Sequence, residues 1–413
     1  MRNHFKDLLL RGPLSILASS LPGLVNYAII LLLVYSGKTA DAGLYRLVLA
    51  IFSLAAILTF LDSSKVFVRA VAENDSHEMA ELFVGRVYLS GLCFVLAGFV
   101  AALWFWMGWP SANLTPTTIA IAVFAAFHYG VFDFYAPLLQ ARQEFLRFFL
   151  FAFAKYSVAF LAFVGLLAIG ASVLTTTLVQ LGVMTAFHAL FFAMVVYSRL
   201  DFSGVSFGPF SAMRRPGVRE SMTISVANAL PNSLEHIDKL IIGALFGLDT
   251  LGLYTLGFST GRFIYNTLKP AIYVFYRRFV EHLPSGRIVL SVGLFFTAFG
   301  MVCAALFYLA VQNVPALNRF KGTEVVTIII FLSYGVAMAD AVYSQAFAIN
   351  RKARSSRLLH AGLWASGACL LIFALATLFP ADIALAMFAA HYFLRHAVTL
   401  AILLMRRPES EAA

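Results

Sequence analysis

Residues 228–269 read NALPNSLEHIDKLIIGALFGLDTLGLYTLGFSTGRFIYNTLK. The stretch is long and apolar enough for two membrane crossings. Yet its first part carries Asn228, Asn232, Glu235, His236, Asp238 and Lys239, and its second carries Arg262 and Lys269, with a short break at Gly247–Gly252 between them. A charge at membrane depth costs several kcal/mol unless it is paired or faces water or a bundle interior, so such residues mark function first. Asn228, Asn232, Glu235 and Lys239 recur at helical spacing and share one face. Arg262, Tyr265, Asn266 and Lys269 do the same on the next helix. Two such faces would line a polar passage inside a helical bundle. The spacing also permits a purely structural reading, with Glu235 and Lys239 as an i,i+4 pair and Asp238 paired with Arg262.

The rest of the chain is of one kind with this stretch. Of 413 residues, 61% are hydrophobic and 12% charged. Apolar runs recur from end to end, which makes this an all-α polytopic membrane protein. Cys93, Cys303 and Cys369 lie in apolar runs and offer neither a disulfide framework nor a metal site. The formal charge of +10 follows the membrane rather than a nucleic acid, because Lys and Arg gather in alternate loops.

Twelve spans of about 20 residues are expected: 14–35, 44–61, 83–106, 117–138, 148–169, 174–197, 222–246, 252–274, 288–311, 325–347, 358–378 and 383–404. One set of loops holds only Lys38, Arg46, Arg319 and Lys321. The other set holds Lys65, Arg69, Arg142, Arg147, Arg214, Arg215, Arg277, Arg278, Arg351 and Lys352 among others. Cytoplasmic loops carry the excess of Lys and Arg, so both termini are placed in the cytoplasm. No secretory cleavage signal follows the first residues. Residues 1–13, with Phe5, Leu8 and Leu9 among Arg2, Lys6 and Arg11, read as an interfacial segment. Trp104, Trp106 and Trp109 read as anchors at the outer interface.

The longest cytoplasmic connection, 198–221, divides an N-terminal six-helix bundle (14–197) from a C-terminal one (222–404), followed by a cytoplasmic tail (405–413). An internal repeat agrees with this division. A shift of 209 residues lays Leu21 and Pro22 on Leu230 and Pro231, Gly43–Tyr45 on Gly252–Tyr254, and Leu47 on Leu256. An even offset of six spans makes the repeats parallel, so that twelve helices surround a central cavity about an axis along the membrane normal. Two repeated halves already supply the pair a carrier needs, and a monomer is expected.

Further ionisable groups fall inside spans: His128, Asp133, Lys155, His188, Asp340, His391, Arg395 and His396. The cations Lys155, Lys239, Arg262, Lys269 and Arg395 exceed the carboxylates Asp133, Glu235, Asp238 and Asp340. Excess cation in a low-dielectric cavity suits a phosphate or pyrophosphate, which arginine grips with a planar fork of donors. Arg262 and Arg395 lie deepest, with Asn232 beside them. Lys155 and Lys269 sit nearer the cytoplasmic ends, where long side chains snorkel. Glu235, Asp238, Asp133 and Asp340 are candidates for coupling to H⁺ or Na⁺, or for gating. Asp133 and Asp340 also suit helix capping or pairing with loop cations. There is no Gly-rich nucleotide loop and no catalytic cluster in an outer loop, so transport fits better than enzymatic chemistry and no other cofactor is implied.

At Ser233–Tyr254 the sequence resembles the oligosaccharide flippases, the Wzx-type (O-antigen) polysaccharide biosynthesis transporters of the multidrug/oligosaccharidyl-lipid/polysaccharide superfamily. There Asp238 precedes Lys239, Leu240, Ile241, Ile242 and Gly243, and Phe246, Gly247, Leu251, Gly252, Leu253 and Tyr254 follow. Weaker likenesses lie at Gly43–Tyr45, Leu61–Arg69 and Gln140–Phe148. The resemblance implies movement of an undecaprenyl-pyrophosphate-linked oligosaccharide across the bacterial inner membrane by alternating access, beside glycan polymerase machinery. Arg262 and Arg395 would then meet the pyrophosphate or acidic sugars, and Glu235, Asp238 and Lys239 would line the cavity or its gate. This reading expects a wide cavity walled by spans one, two, seven and eight. A multidrug and toxin extrusion-type cation antiporter would instead show dominant acidic groups in its N-terminal half. A non-transporting structural protein would pair its charges locally and leave no cavity.

Overall fold

The computed structural model describes residues 2–60, 63–106, 114–205, 214–350, 353 and 355–405. Trp109, linker residues 206–213 and tail residues 406–413 lie outside them, as do the side chains of residues 1–12, Trp104 and Trp106. Among the described residues the protein is all-α. Nine helices are long and apolar enough to cross a membrane, or ten when a pair bent by 47° counts as one.

The N-terminal part comprises α1 (Arg2–Tyr35), α2 (Thr39–Ile57), α3 (Ser63–Glu73), α4 (Ser76–Trp106), α5 (Pro116–Phe132), α6 (Tyr135–Ala141), α7 (Phe145–Ala168) and α8 (Val173–Phe191). The proposed interfacial segment is continuous with the first span in α1. The chain signals its helix starts chemically. Thr115 and Ser172 each accept the backbone N–H three residues on, at 3.2 Å, and Pro116 occupies the first helical position, where its missing N–H costs nothing.

The C-terminal part begins with α9 (Pro216–Leu268), which holds both halves of the stretch quoted above. It is broken at Gly247, whose φ of 84° and ψ of 172° suit glycine and interrupt the helix. The limbs are residues 216–246 and 248–268. A 3-10 turn (Lys269–Phe275) and α10 (Tyr276–Phe279) follow. Then come α11 (Gly286–Asn313), the bent pair α12 (Glu324–Leu332) and α13 (Tyr334–Ile349), α14 (Ser355–Ala376) and α15 (Ala381–Met405).

The outside of this bundle is apolar. Leu161, Leu290, Leu294, Phe295, Leu306, Trp364 and Leu371 are each more than 60% exposed. Side chains so apolar and so exposed suit hydrocarbon, not water. The interior holds the charge instead.

α9 packs against α1 and α2 on one side and against α12, α14 and α15 on the other. Its contact with α2 is closest at two glycines. A Cβ on Gly43 would run into the carbonyl of Leu248, and a Cβ on Gly252 into the carbonyl of Thr39. The same shift of 209 residues carries Gly43 to Gly252 and Thr39 to Leu248. The two contacts are therefore equivalents of one another, as a local two-fold axis between α2 and the second limb of α9 requires.

Candidate functional site

Pro231 lies inside the first limb of α9 and has no N–H to offer the carbonyl of Ala227. Gly362 of α14 packs directly on that carbonyl. Next to this irregularity, Asn232 and Glu235 point at α15. Arg395 donates to Asn232 Oδ1 at 2.8 Å and to the Pro231 carbonyl at 3.2 Å, and it forms an ion pair with Glu235. The other oxygen of Glu235 is paired with Arg262 from the second limb. One buried carboxylate, 7% exposed, thus holds two guanidiniums from different helices. The Arg262 guanidinium also lies 5.4 Å from the Phe258 ring and 4.9 Å from that of Tyr392, a favourable setting for a partly desolvated cation.

One turn further, Lys239 donates to both oxygens of Asp238 at 2.9 and 2.8 Å and to the Glu235 carbonyl at 2.5 Å. Tyr254 of the second limb donates to Asp238 at 2.8 Å. Lys239 and Asp238 are fully buried. The structural pairings suggested by spacing are therefore corrected. Glu235 pairs with Arg262 and Arg395 rather than with Lys239, and Asp238 pairs with Lys239 rather than with Arg262. Both carboxylates bind across the break in α9, because folding the limbs together brings side chains into reach that helical spacing along one limb does not.

A cavity of about 100 Å³ adjoins this network, lined by residues of α1, by Arg46 of α2 and by the second limb of α9. Its polar wall is Ser20, Asn26, Tyr27, Arg46, Ser259, Arg262, Asn266 and Thr267. It contains no carboxylate among the described residues. It is narrow, not the wide vestibule expected, and spans one, two and eight contribute to its wall while span seven does not. Tyr27 ties α1 to the second limb of α9 here, its hydroxyl 3.0 Å from Thr260 Oγ1.

Arg262 is the one expected substrate ligand that lines the cavity. Asn232, Lys239 and Arg395 stand behind it in the network. Lys269 is half-buried, 5.7 Å from the Tyr265 ring. Lys155 belongs to the N-terminal half. It is 3% exposed and donates to the Tyr135 hydroxyl at 2.8 Å, so it turns inward instead of snorkelling. Asp133 forms the C-terminal cap of α5 and lies 3.4 Å from His188, while Asp340 lies 2.6 Å from His396. Neither carboxylate reaches the cavity wall.

Sequence reasoning missed Arg46 by assigning it to an outer loop. The turn at Gly37, with φ of 76°, and Asp41 in the first helical turn place the start of α2 at Thr39. At 1.5 Å per residue Arg46 then sits roughly 10 Å inside.

A model of the family described as polysaccharide biosynthesis protein matches residues 11–282. No curated protein matches the chain by sequence. Three solved structures resemble it in fold. A MOP superfamily transporter from Pyrococcus furiosus, described as having a binding pocket of reverse polarity that suggests a different function, is 16% identical, with 97% of this chain and 96% of that chain covered and a TM-score of 0.50. The Vibrio cholerae MATE transporter VcmN in its bent form is 12% identical, with 98% and 96% covered and a TM-score of 0.50. A MATE transporter in the bent conformation is 15% identical, with 97% and 94% covered and a TM-score of 0.55. These likenesses concern the fold, that of MOP superfamily transporters. The family match spans well over half of the sequence, and the chain belongs to the polysaccharide biosynthesis protein family.

Proposed function

We propose that the protein carries an anionic, lipid-linked polysaccharide precursor across the bacterial inner membrane by alternating access, as a flippase serving lipopolysaccharide or exopolysaccharide assembly. The observation that carries this reading is the sign of the cavity. Its charged lining is arginine from each half, and the nearest carboxylates are already held by cations. An undecaprenyl-pyrophosphate-linked oligosaccharide has the complementary charge, and its hydrocarbon tail suits the bilayer beside α1. The fold is read as twelve spans in two parallel six-helix repeats, 14–197 and 222–404, joined by 198–221. Three observations support that count: α9 is 53 residues long with a non-helical break at Gly247, α4 is 31 residues long and apolar over most of its length, and the Gly43 and Gly252 contacts are equivalent under a shift of 209 residues. Both termini are placed in the cytoplasm, and a monomer working beside glycan polymerase machinery completes the reading. Coupling to H⁺ or Na⁺ falls to Glu235, Asp238, Asp133 or Asp340.

A cation antiporter of the MATE type is the second reading, favoured by the fold likeness. It needs a carboxylate free to meet an organic cation, and at this site Glu235 and Asp238 are both occupied.

The test is made in cells. Removing the protein is expected to make the lipid-linked intermediate accumulate in the cytoplasmic leaflet. Arg262→Ala is expected to lower glycan delivery about tenfold or more with membrane insertion intact, the kinetic equivalent of one charge-assisted hydrogen bond. Normal delivery and no accumulated intermediate would remove the flippase reading. Loss of dye or drug efflux in the same cells would establish the antiporter instead.

A further inference from the structure

The cavity and the network beside it carry two more positive charges than negative ones. Lys239 and Asp238 neutralise each other. That leaves three guanidiniums, Arg46, Arg262 and Arg395, with the single carboxylate of Glu235. Glu235 serves Arg262 and Arg395. Arg46 has no hydrogen bond or ion pair among the described residues, and its Nε is buried without a partner. The Nε of Arg262 is likewise buried without a partner, on the same cavity. A guanidinium inside a bundle with no carboxylate in contact is costly, so its retention points to a counter-ion that closes on it from the cavity.

Charge pairing identifies what changes when that counter-ion arrives. Arg395 keeps Asn232, the Pro231 carbonyl and Glu235 whether or not Glu235 also holds Arg262. Glu235 can therefore leave Arg262 without becoming unpaired. An oxyanion entering between Arg262 and Arg46 takes up both cations with bidentate donors. Every charge in the network then has a partner.

We infer that Glu235 is a resident counter-ion occupying the Arg262 position that the anionic group of the substrate takes, and that substrate binding displaces Glu235 onto Arg395 while bridging Arg262 to Arg46 of the other half. This deepens the flippase reading and rests on it, naming the exchange by which the headgroup is seated. The cavity has room for a phosphate group and a few waters, not for a sugar chain, so the exchange concerns a phosphate and not the glycan. Arg395 is a positioning residue that receives Glu235.

The experiment uses the full chain in lipid nanodiscs, with inorganic pyrophosphate and, separately, glucuronate as probes, read by calorimetry and thermal shift. Pyrophosphate is expected to bind and glucuronate to bind weakly or not at all. Glu235→Gln is expected to tighten pyrophosphate binding by about tenfold, because the neutral amide no longer competes for Arg262. A Glu235 that merely braces Arg262 would make the same change weaken binding, and that result would overturn the proposal. Arg46→Gln gives a second reading of opposite signs. Loss of the unpaired cation is expected to raise the melting temperature of the empty protein while weakening pyrophosphate binding about tenfold, and Arg46→Lys is expected to restore only part of the affinity. A lowered melting temperature with unchanged affinity would also sink the exchange, as would tighter binding of glucuronate than of pyrophosphate. If these measurements fail while cells lacking the protein still accumulate the lipid-linked intermediate, the exchange falls and the flippase reading stands. If the intermediate never accumulates, the flippase reading falls whatever pyrophosphate does.

Discussion

Glu235→Ala is expected to destabilise the empty protein by about 3–5 kcal/mol, the cost of removing one partner from a buried charge network. The magnitude follows from what is left behind. Arg262 and Arg395, with side chains 19% and 12% exposed, would lose their shared carboxylate and repel one another. Asn232 and the Pro231 carbonyl still serve Arg395, whereas among the described residues Arg262 keeps only the faces of Phe258 and Tyr392. Thermal unfolding of solubilised protein followed by size exclusion checks this. The double variant Glu235→Ala with Arg262→Met should recover much of the loss, since removing both members of a buried pair costs far less than removing one. A Glu235→Ala protein within about 0.5 kcal/mol of its parent would mean that Glu235 does not hold the two arginines in the membrane.

Much of the site could be read in the sequence as composition and little of it as partnership. The excess of cations, the break after Phe246 and the 209-residue repeat were visible, because each depends on local spacing or on two copies of one motif. The partners of Glu235 were not, for Arg262 lies 27 positions away and Arg395 lies 160. Only folding the limbs of α9 together and laying α15 against them brings the three side chains within reach. Lys155 shows a signal that was present and misread. Phe148, Ala152, Lys155, Ala159 and Phe163 recur at helical spacing, and all are buried. The lysine thus belongs to the inward stripe of α7, and its distance from the helix end says nothing against that. Arg46 lies only two residues inside the expected start of the second span at residue 44 and was counted with the loop before it, whereas α2 starts at Thr39 and carries it onto the cavity wall.

Gly43→Leu and Gly252→Leu are expected to have nearly equal effects, each forcing α2 and the second limb of α9 apart at the end of the bundle where Gly37 and Gly247 turn the chain. At each position the obstacle is a backbone carbonyl, of Leu248 in one case and Thr39 in the other, and neither can rotate away as a flexible side chain would. Strain of this kind typically costs about 1–3 kcal/mol. Either the helices separate or the whole seam shifts. Ala42, beside Gly43 and fully buried, reports the separation: a cysteine placed there should resist a maleimide in the parent and react in either variant. Because the two contacts share one seam, the double variant should cost less than the sum of the singles. Carriage should fall with closure, since a seam held open leaves one face of the cavity unsealed and alternating access requires each face to close in turn. Equality is the sharper part of the expectation. Two glycines 209 residues apart respond alike only if the halves are copies meeting at an axis. A severe effect at Gly43 beside a mild one at Gly252 would leave the repeat without mechanical consequence, however well the sequences align.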